Sequence, residues 1–372
     1  ILTFLQDGGD VIYADDSTSV TLDSKPYDNS VWYDDPVSGQ IRAPICPFDK
    51  TTKVGTFDST ETCALSSTVV VNGVMNINAL KSLRSTVLSD LPKIIAPIDK
   101  RHFYLTANAN LVLENVELIS SRSNKVAPDI GWFAEFDGVS SPDKKNGGNI
   151  FIEKEAVALT IVNVLFPGCG SGYQCAKQGG AIASEDKSSI TAPPLKITIK
   201  SSTFKDYTVK YRAGVLLVGK GTSVDISKST FDSNTAYSAG VMYAENSKEI
   251  AYMVPSSITI DETIVKNCVT TNNEGGAAFK LKGGINLTIT KSTFKSNEAK
   301  KTGPSTTTGG VITAEAGVSI VVESSPVISV ANLYVEESIN KNLSDEGSTS
   351  VSLSDVLTST GSSVSSRYGL TF

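Results

Sequence analysis

Along the chain, apolar residues recur as apolar–x–apolar, then a four-residue gap, then a third apolar position. The pattern fits Leu111/Leu113/Leu118, Leu159/Ile161/Phe166, Ile197/Ile199/Phe204 and Val224/Ile226/Phe231. It fits again at Ile258/Ile260/Val265, Leu287/Ile289/Phe294 and Ile328/Val330/Val335. Apolar residues two apart point to one face of a strand. Most residues between them, such as Thr160, Thr198, Asp225, Thr259, Thr288 and Ser329, are short and polar, so each strand has one wet face. Val112 is the exception. After a polar corner the third apolar residue turns back inward.

A second signal precedes six of the seven matches. "GGNIFIE", "GGAIASE", "AGVLLVG", "AGVMYAE", "GGAAFKL" and "GGVITAE" each place glycine just before a short apolar strand. Glycine there permits a positive φ or a close backbone approach. One unit cannot bury its own inward row, but stacked units share a continuous core. The expected fold is therefore all-β, a right-handed parallel β-helix of about three short strands per coil. A propeller would need four antiparallel strands and more regular spacing. The coils are expected over residues 67–340, with insertions such as "SRSNKVAPDIGWFAEFDGVSSPDKKN" confined to loops. Residues 1–66 do not follow the pattern and are expected to cap the first coil, because an open strand edge invites pairing. The Ser/Thr-rich residues 341–372 are expected to add final strands or a cap, with a flexible stalk as the competing reading.

The tetrapeptides "GGAI" at 179–182, "GGAA" at 275–278, "FDSN" at 231–234 and "FKSN" at 294–297 alternate in order. In this the chain resembles the GGA[ILV] and FxxN repeats of polymorphic outer membrane proteins, over roughly residues 147–340. That resemblance implies a β-helical surface adhesin.

With 40% apolar and 19% charged residues the chain can bury a substantial core, and a net charge of −6 argues against nucleic acid as a partner. No window approaches the ~18 apolar residues of a membrane span. The chain opens at Ile1 without a signal-peptide pattern and reads as a processed product. The sequons at Asn286 and Asn342 are candidate glycosylation sites of a secreted protein.

Five cysteines fall on this frame. Cys169 and Cys268 both stand three residues after a third-position apolar residue, three coils apart, or ~14 Å at the usual strand spacing. A disulfide needs Cα atoms within roughly 7 Å, so the two should not be joined. Cys169 is expected to pair with Cys175, and Cys46 with Cys63, leaving Cys268 as a buried thiol. Two local bridges suit an oxidising compartment and an extracellular or cell-surface location.

Candidate chemistry is sparse. The single histidine, His102, is expected to be structural or at the surface. Asp15/Asp16, Asp34/Asp35 and Glu336/Glu337 are adjacent pairs, but neighbours on a strand point to opposite faces. No stack of acidic positions across coils is expected, no metal or other cofactor is implied, and an ice-binding Thr face is disfavoured by its irregular, charged second row. The functional expectation is a non-catalytic extracellular protein, either a surface adhesin or a filament subunit. Its partners would be further copies or other surface proteins, with glycans as an additional class. A polysaccharide-binding or polysaccharide-cleaving enzyme is the alternative. For a filament, Ile1, Leu2, Thr3, Phe4 and Leu5 are the candidate self-assembly residues, against simple capping within the chain.

Overall fold

The structure is a computed structural model. It describes residues 11–14, 18–22, 30–35, 39–44, 46, 48–49, 62–65, 68–78, 91–97, 100–121, 146–169, 173–187, 194–245, 256–271, 276–299, 311–314, 318–323, 333–336, 357–359 and 363–366. At the two ends this covers the course of strands and little of their side chains. Among the described residues there is no helix.

Three large sheets, of ten, eleven and nine strands, carry the fold. The chain visits them in rotation. A representative circuit runs through Leu216–Val218 in the first sheet, Thr222–Ser227 in the second and Thr230–Asp232 in the third. It then passes Thr235–Ala236 in a small fourth sheet and returns to the first at Met242–Glu245. Each strand pairs in parallel with its counterpart one circuit away, as in Ile197↔Val224, Phe204↔Phe231 and Leu216↔Met242. This order is compatible with a parallel β-helix.

The repeated pattern keeps register. Leu111, Leu159, Ile197, Val224, Ile258 and Leu287 form one inward row. Phe166, Phe204, Phe231, Val265 and Phe294 form another. Both rows are buried, within one apolar cluster that reaches from Cys46 to Ala314. Rings stack along the second row, with centroids 4.3 Å apart for Phe166–Phe204 and 5.2 Å for Phe204–Phe231.

Two corners explain the polar letters. Leaving the second sheet, one residue per circuit takes a positive φ: Asn115, Asn163, Ser201, Lys228, Glu262 and Lys291. The next residue is a buried hydroxyl in four successive circuits, Ser202, Ser229, Thr263 and Ser292. Each hydroxyl donates to the carbonyl two residues before it, at 2.8 Å. Each also accepts the backbone N–H of its counterpart one circuit back, as Ser202 Oγ does from Val164 and Ser229 Oγ from Ser202. Leaving the third sheet, Asp206, Ser233, Asn267 and Ser296 again take positive φ. After two of these comes the buried Asn of FxxN. Asn234 Oδ1 accepts the N–H of Tyr207, and its Nδ2 donates to Phe204 O. Asn297 repeats this with Cys268 N–H and Val265 O. One amide thus satisfies both backbone groups that the preceding circuit's corner leaves unpaired.

The paired glycines have separate roles. The first position takes a positive φ at Gly147, Gly179 and Gly276, and also at Ala213 and Ala239. The second lies against the backbone of the next circuit: a Cβ on Gly180 would sit 2.0 Å from Gly214 O, and one on Gly214 1.9 Å from Gly240 O.

Several sequence expectations need correction. The last match, Ile328/Val330/Val335, is only one-third right. Val335 pairs with Phe294, but Leu287 and Ile289 pair with Ile320 and Val322. An insertion separates the second and third positions there, which a fixed gap cannot accommodate. The same cause hides an earlier circuit, where Met75 and Ile77 align with Leu111 and Leu113 while Ile94 aligns with Leu118. "GGAA" is offset by one residue, since Phe279 pairs with Met242 and so Gly276 and Ala277 occupy the places of Ala239 and Gly240. Strands from residues 1–66 also join the three large sheets. Val11–Ala14, Thr18–Leu22 and Thr62–Ala64 pair in parallel with the first, second and third sheets. Phe48–Asp49 runs antiparallel along the outer edge of Thr18–Leu22, and Ser30–Asp35 with Gly39–Pro44 makes an antiparallel hairpin. At the other end Leu357–Ser359 and Ser363–Ser366 extend the first and second sheets.

Candidate functional site: a polar groove on the first sheet

The second sheet alternates buried and half-exposed residues, but strands of the first are buried on both faces, as in Phe103–Leu105 and Ile150–Ile152. Their outward residues form a row across successive circuits: Val70, Tyr104, Phe151, Ala183, Leu217 and Tyr243. Tyr104 and Phe151 stack at 5.5 Å. Cations lie on these rings, the Arg101 guanidinium 4.8 Å from the Phe151 centroid and Arg212 4.6 Å from that of Tyr243. A guanidinium over an aromatic face is held in plane as well as attracted.

Two residues beyond the outward position, three circuits carry a glutamate, Glu153, Glu185 and Glu245, with Gly219 at the equivalent place between the last two. The Tyr104 hydroxyl donates to Glu153. The Tyr243 hydroxyl donates to Glu245 Oε2 at 2.8 Å, and Arg212 reaches the same oxygen at 3.8 Å. Glu185 Oε2 accepts the Lys154 N–H at 3.2 Å. Burial first, then the Glu153 hydrogen bond and charge, push the Tyr104 phenol well above its ordinary range. Beside this row, Lys220 pairs with Asp186 at 3.3 Å. Of these groups, Phe151, Glu185, Arg212, Tyr243, Glu245 and the Lys220–Asp186 pair line a groove of about 600 Å³, whereas Arg101, Tyr104 and Glu153 lie outside its lining. The stack of glutamates corrects the expectation that no acidic positions align across coils. Its signal was the final letter shared by "GGNIFIE", "GGAIASE" and "AGVMYAE".

Those of the other sequence-derived candidates that are among the described residues do not line the groove. Disulfides join Cys46 to Cys63 and Cys169 to Cys175, while Cys268 is a buried free thiol. Two disulfides suit an oxidising compartment. Asn286 is exposed on Ile285–Thr290 of the second sheet. Asn342 and the candidate self-assembly residues Ile1 to Leu5 lie outside the described residues. His102 is buried. Its Nδ1 faces the Asn149 amide Nδ2 at 3.2 Å and its Nε2 faces Ile94 O at 3.0 Å. An amide donor on one side and a carbonyl on the other fix the Nε2–H tautomer. The Tyr207 hydroxyl closes this network on Asn149 Oδ1 at 2.6 Å. Among the described residues no three His, Cys, Asp or Glu side chains gather as metal ligands, and no helix is long and apolar enough to cross a membrane.

What the groove offers chemically is a fixed array of donors and acceptors. Its glutamates, Glu185 and Glu245, are both engaged as acceptors, an anchoring arrangement. No family model, curated protein or solved structure matches the chain.

Proposed function

We propose that the circuits wind as a right-handed parallel β-helix, and that the protein is a non-catalytic extracellular scaffold acting as a cell-surface adhesin. Parallel crossovers are right-handed in about 98% of cases, which supports the hand. The motif likeness to polymorphic outer membrane protein repeats and the two disulfides support a surface location. The observation that favours adhesion over filament assembly is the groove itself. It opens on the side of the stack, across the strands Ile150–Ile152, Ile182–Ser184, Leu216–Val218 and Met242–Glu245, and not at a sheet edge where a second copy would add.

The test uses beads coated with the full chain. Adhesion to cell surfaces well above albumin-coated beads is expected, with dispersed particles in negative-stain electron micrographs of the free protein. Ordered polymers together with inert beads would replace the adhesin with a filament subunit. Glu185 and Glu245, both lining the groove, give one specific observation to polysaccharide cleavage, which needs paired carboxyls across a bound chain. New reducing ends or unsaturated products from a polysaccharide panel would establish that reading instead.

A further inference from the structure

We propose that the groove on the first sheet binds a neutral oligosaccharide, an inference that rests on the adhesin reading and names its ligand class. Three observations carry it. The first is charge balance: Glu185, Asp186 and Glu245 are matched by Lys154, Arg212 and Lys220, so the lining has no net sign to select a polyanion or a polycation. A phosphate, sulfate or uronate ligand would have to share the groove with three carboxylates, and like charges close together disfavour binding.

The second is Asn146. It lines the groove, is only 6% exposed, and its Oδ1 accepts no hydrogen bond. An unsatisfied buried acceptor is costly, and a ligand donor would recover that cost. A fully ionised sulfate or carboxylate group has no donor to give it. A hydroxyl both donates and accepts, and so matches the acceptor Asn146 as well as the mixture of carboxylate acceptors and Arg or Lys donors around it.

The third is the fixed geometry of the polar groups. The Arg212 guanidinium is set on the Tyr243 ring at 4.6 Å and faces Glu245 at 3.8 Å, while Tyr243 itself bonds Glu245. Lys220 is tied to Asp186 by both its ammonium, at 3.3 Å, and its backbone N–H, at 2.8 Å. These polar groups are pre-positioned, which lowers the ordering cost of binding. They still leave edges in solvent, with Arg212, Glu245 and Asp186 side chains 43%, 47% and 55% exposed. An extended peptide fits less well. It binds sheets by adding to an open edge, and the strands beneath the groove are already paired on both sides. The groove crosses four neighbouring strands, a length of ~14 Å at the usual spacing, which suits several linked sugar rings.

The experiment is a binding panel on the full disulfide-bonded chain. It contains neutral hexasaccharides of glucan, xylan and mannan type, an oligogalacturonate and a polylysine peptide, read by titration calorimetry. At least one neutral hexasaccharide is expected to bind, and Asp186→Asn and Lys154→Ala, both at exposed positions, to weaken it about tenfold each. Asn146→Ala is expected to weaken it similarly, with the melting temperature reporting that the fold is kept. Thr288→Ala, on the second sheet, is expected to change nothing. Binding by no neutral member, binding only to the uronate or the peptide, or neutral binding indifferent to all three groove variants would overturn the inference. Bead adhesion that survives such a failure would leave the adhesin standing with another ligand. Sugar binding accompanied by cleavage would remove the non-catalytic reading and keep the sugar.

Discussion

Asn234 shows how much one residue of the repeated phrase decides. Its amide accepts from Tyr207 N–H and donates to Phe204 O, closing the corner of the circuit before it. Replacing it by Ala strands a buried donor and a buried acceptor, each worth ~1–3 kcal/mol. Asn234→Ala is therefore expected to lower stability by roughly 2–4 kcal/mol in a denaturant titration. A loss below about 0.5 kcal/mol would mean that the corner does not need the amide. Cys268 stands at the same place one circuit on. Burial pushes its thiol up to about 12 from an ordinary 9.0, against weaker opposing hydrogen bonds from Asn234. A raised acid stabilises the fold fully below the unfolded value and loses that contribution as pH climbs through the folded one. Stability should therefore fall between pH 9 and 12 in wild type, and fall less in Cys268→Ala. The thiol should resist a thiol-specific chromogenic reagent at neutral pH until guanidinium is added. Rapid labelling of the native protein would contradict its burial.

At the scale of strands and corners, close stacking sets what each position tolerates. Gly214 has no room for a Cβ because the Gly240 carbonyl lies 1.9 Å from where it would be. Gly214→Ala must push two circuits apart along the first sheet, and is expected to cost more than 3 kcal/mol or to abolish folding. Unchanged melting would show that the circuits are looser than this. The same packing explains what was legible in the sequence. Leu, Ile and Phe rows with a constant gap between Leu113 and Leu118, or Ile289 and Phe294, could be aligned by eye. Circuits with an insertion inside the unit, at Ile77–Ile94 and Val322–Val335, could not, because backbone pairing ignores how much chain lies in a loop. "GGAA" misled by one residue because either of two glycines can supply a positive φ, and only pairing to Met242 chooses Gly276. The groove was the least legible part. Its aromatic row looked like ordinary strand core, and its glutamates fall in line only once the first sheet is assembled.

At the scale of the whole molecule, equivalent circuits stack with their strands in parallel register, and the polar groove lies across four neighbouring strands of the first sheet. Distances along the stack test the central claim most directly. Asn76, Val112, Thr160, Thr198, Asp225, Thr259 and Thr288 form one outer row on the second sheet, each paired with the next. Spin labels on cysteines at these positions can be measured pairwise by double electron–electron resonance, since Cys268 is buried and the other native cysteines are bonded. Six strand steps separate Asn76 from Thr288, and four separate Thr160 from Thr288. The expected backbone separations are ~29 Å and ~19 Å, growing by ~4.8 Å per circuit whatever the number of intervening residues. Separations that follow sequence distance, or that fail to increase monotonically along the row, would contradict the stacked circuits.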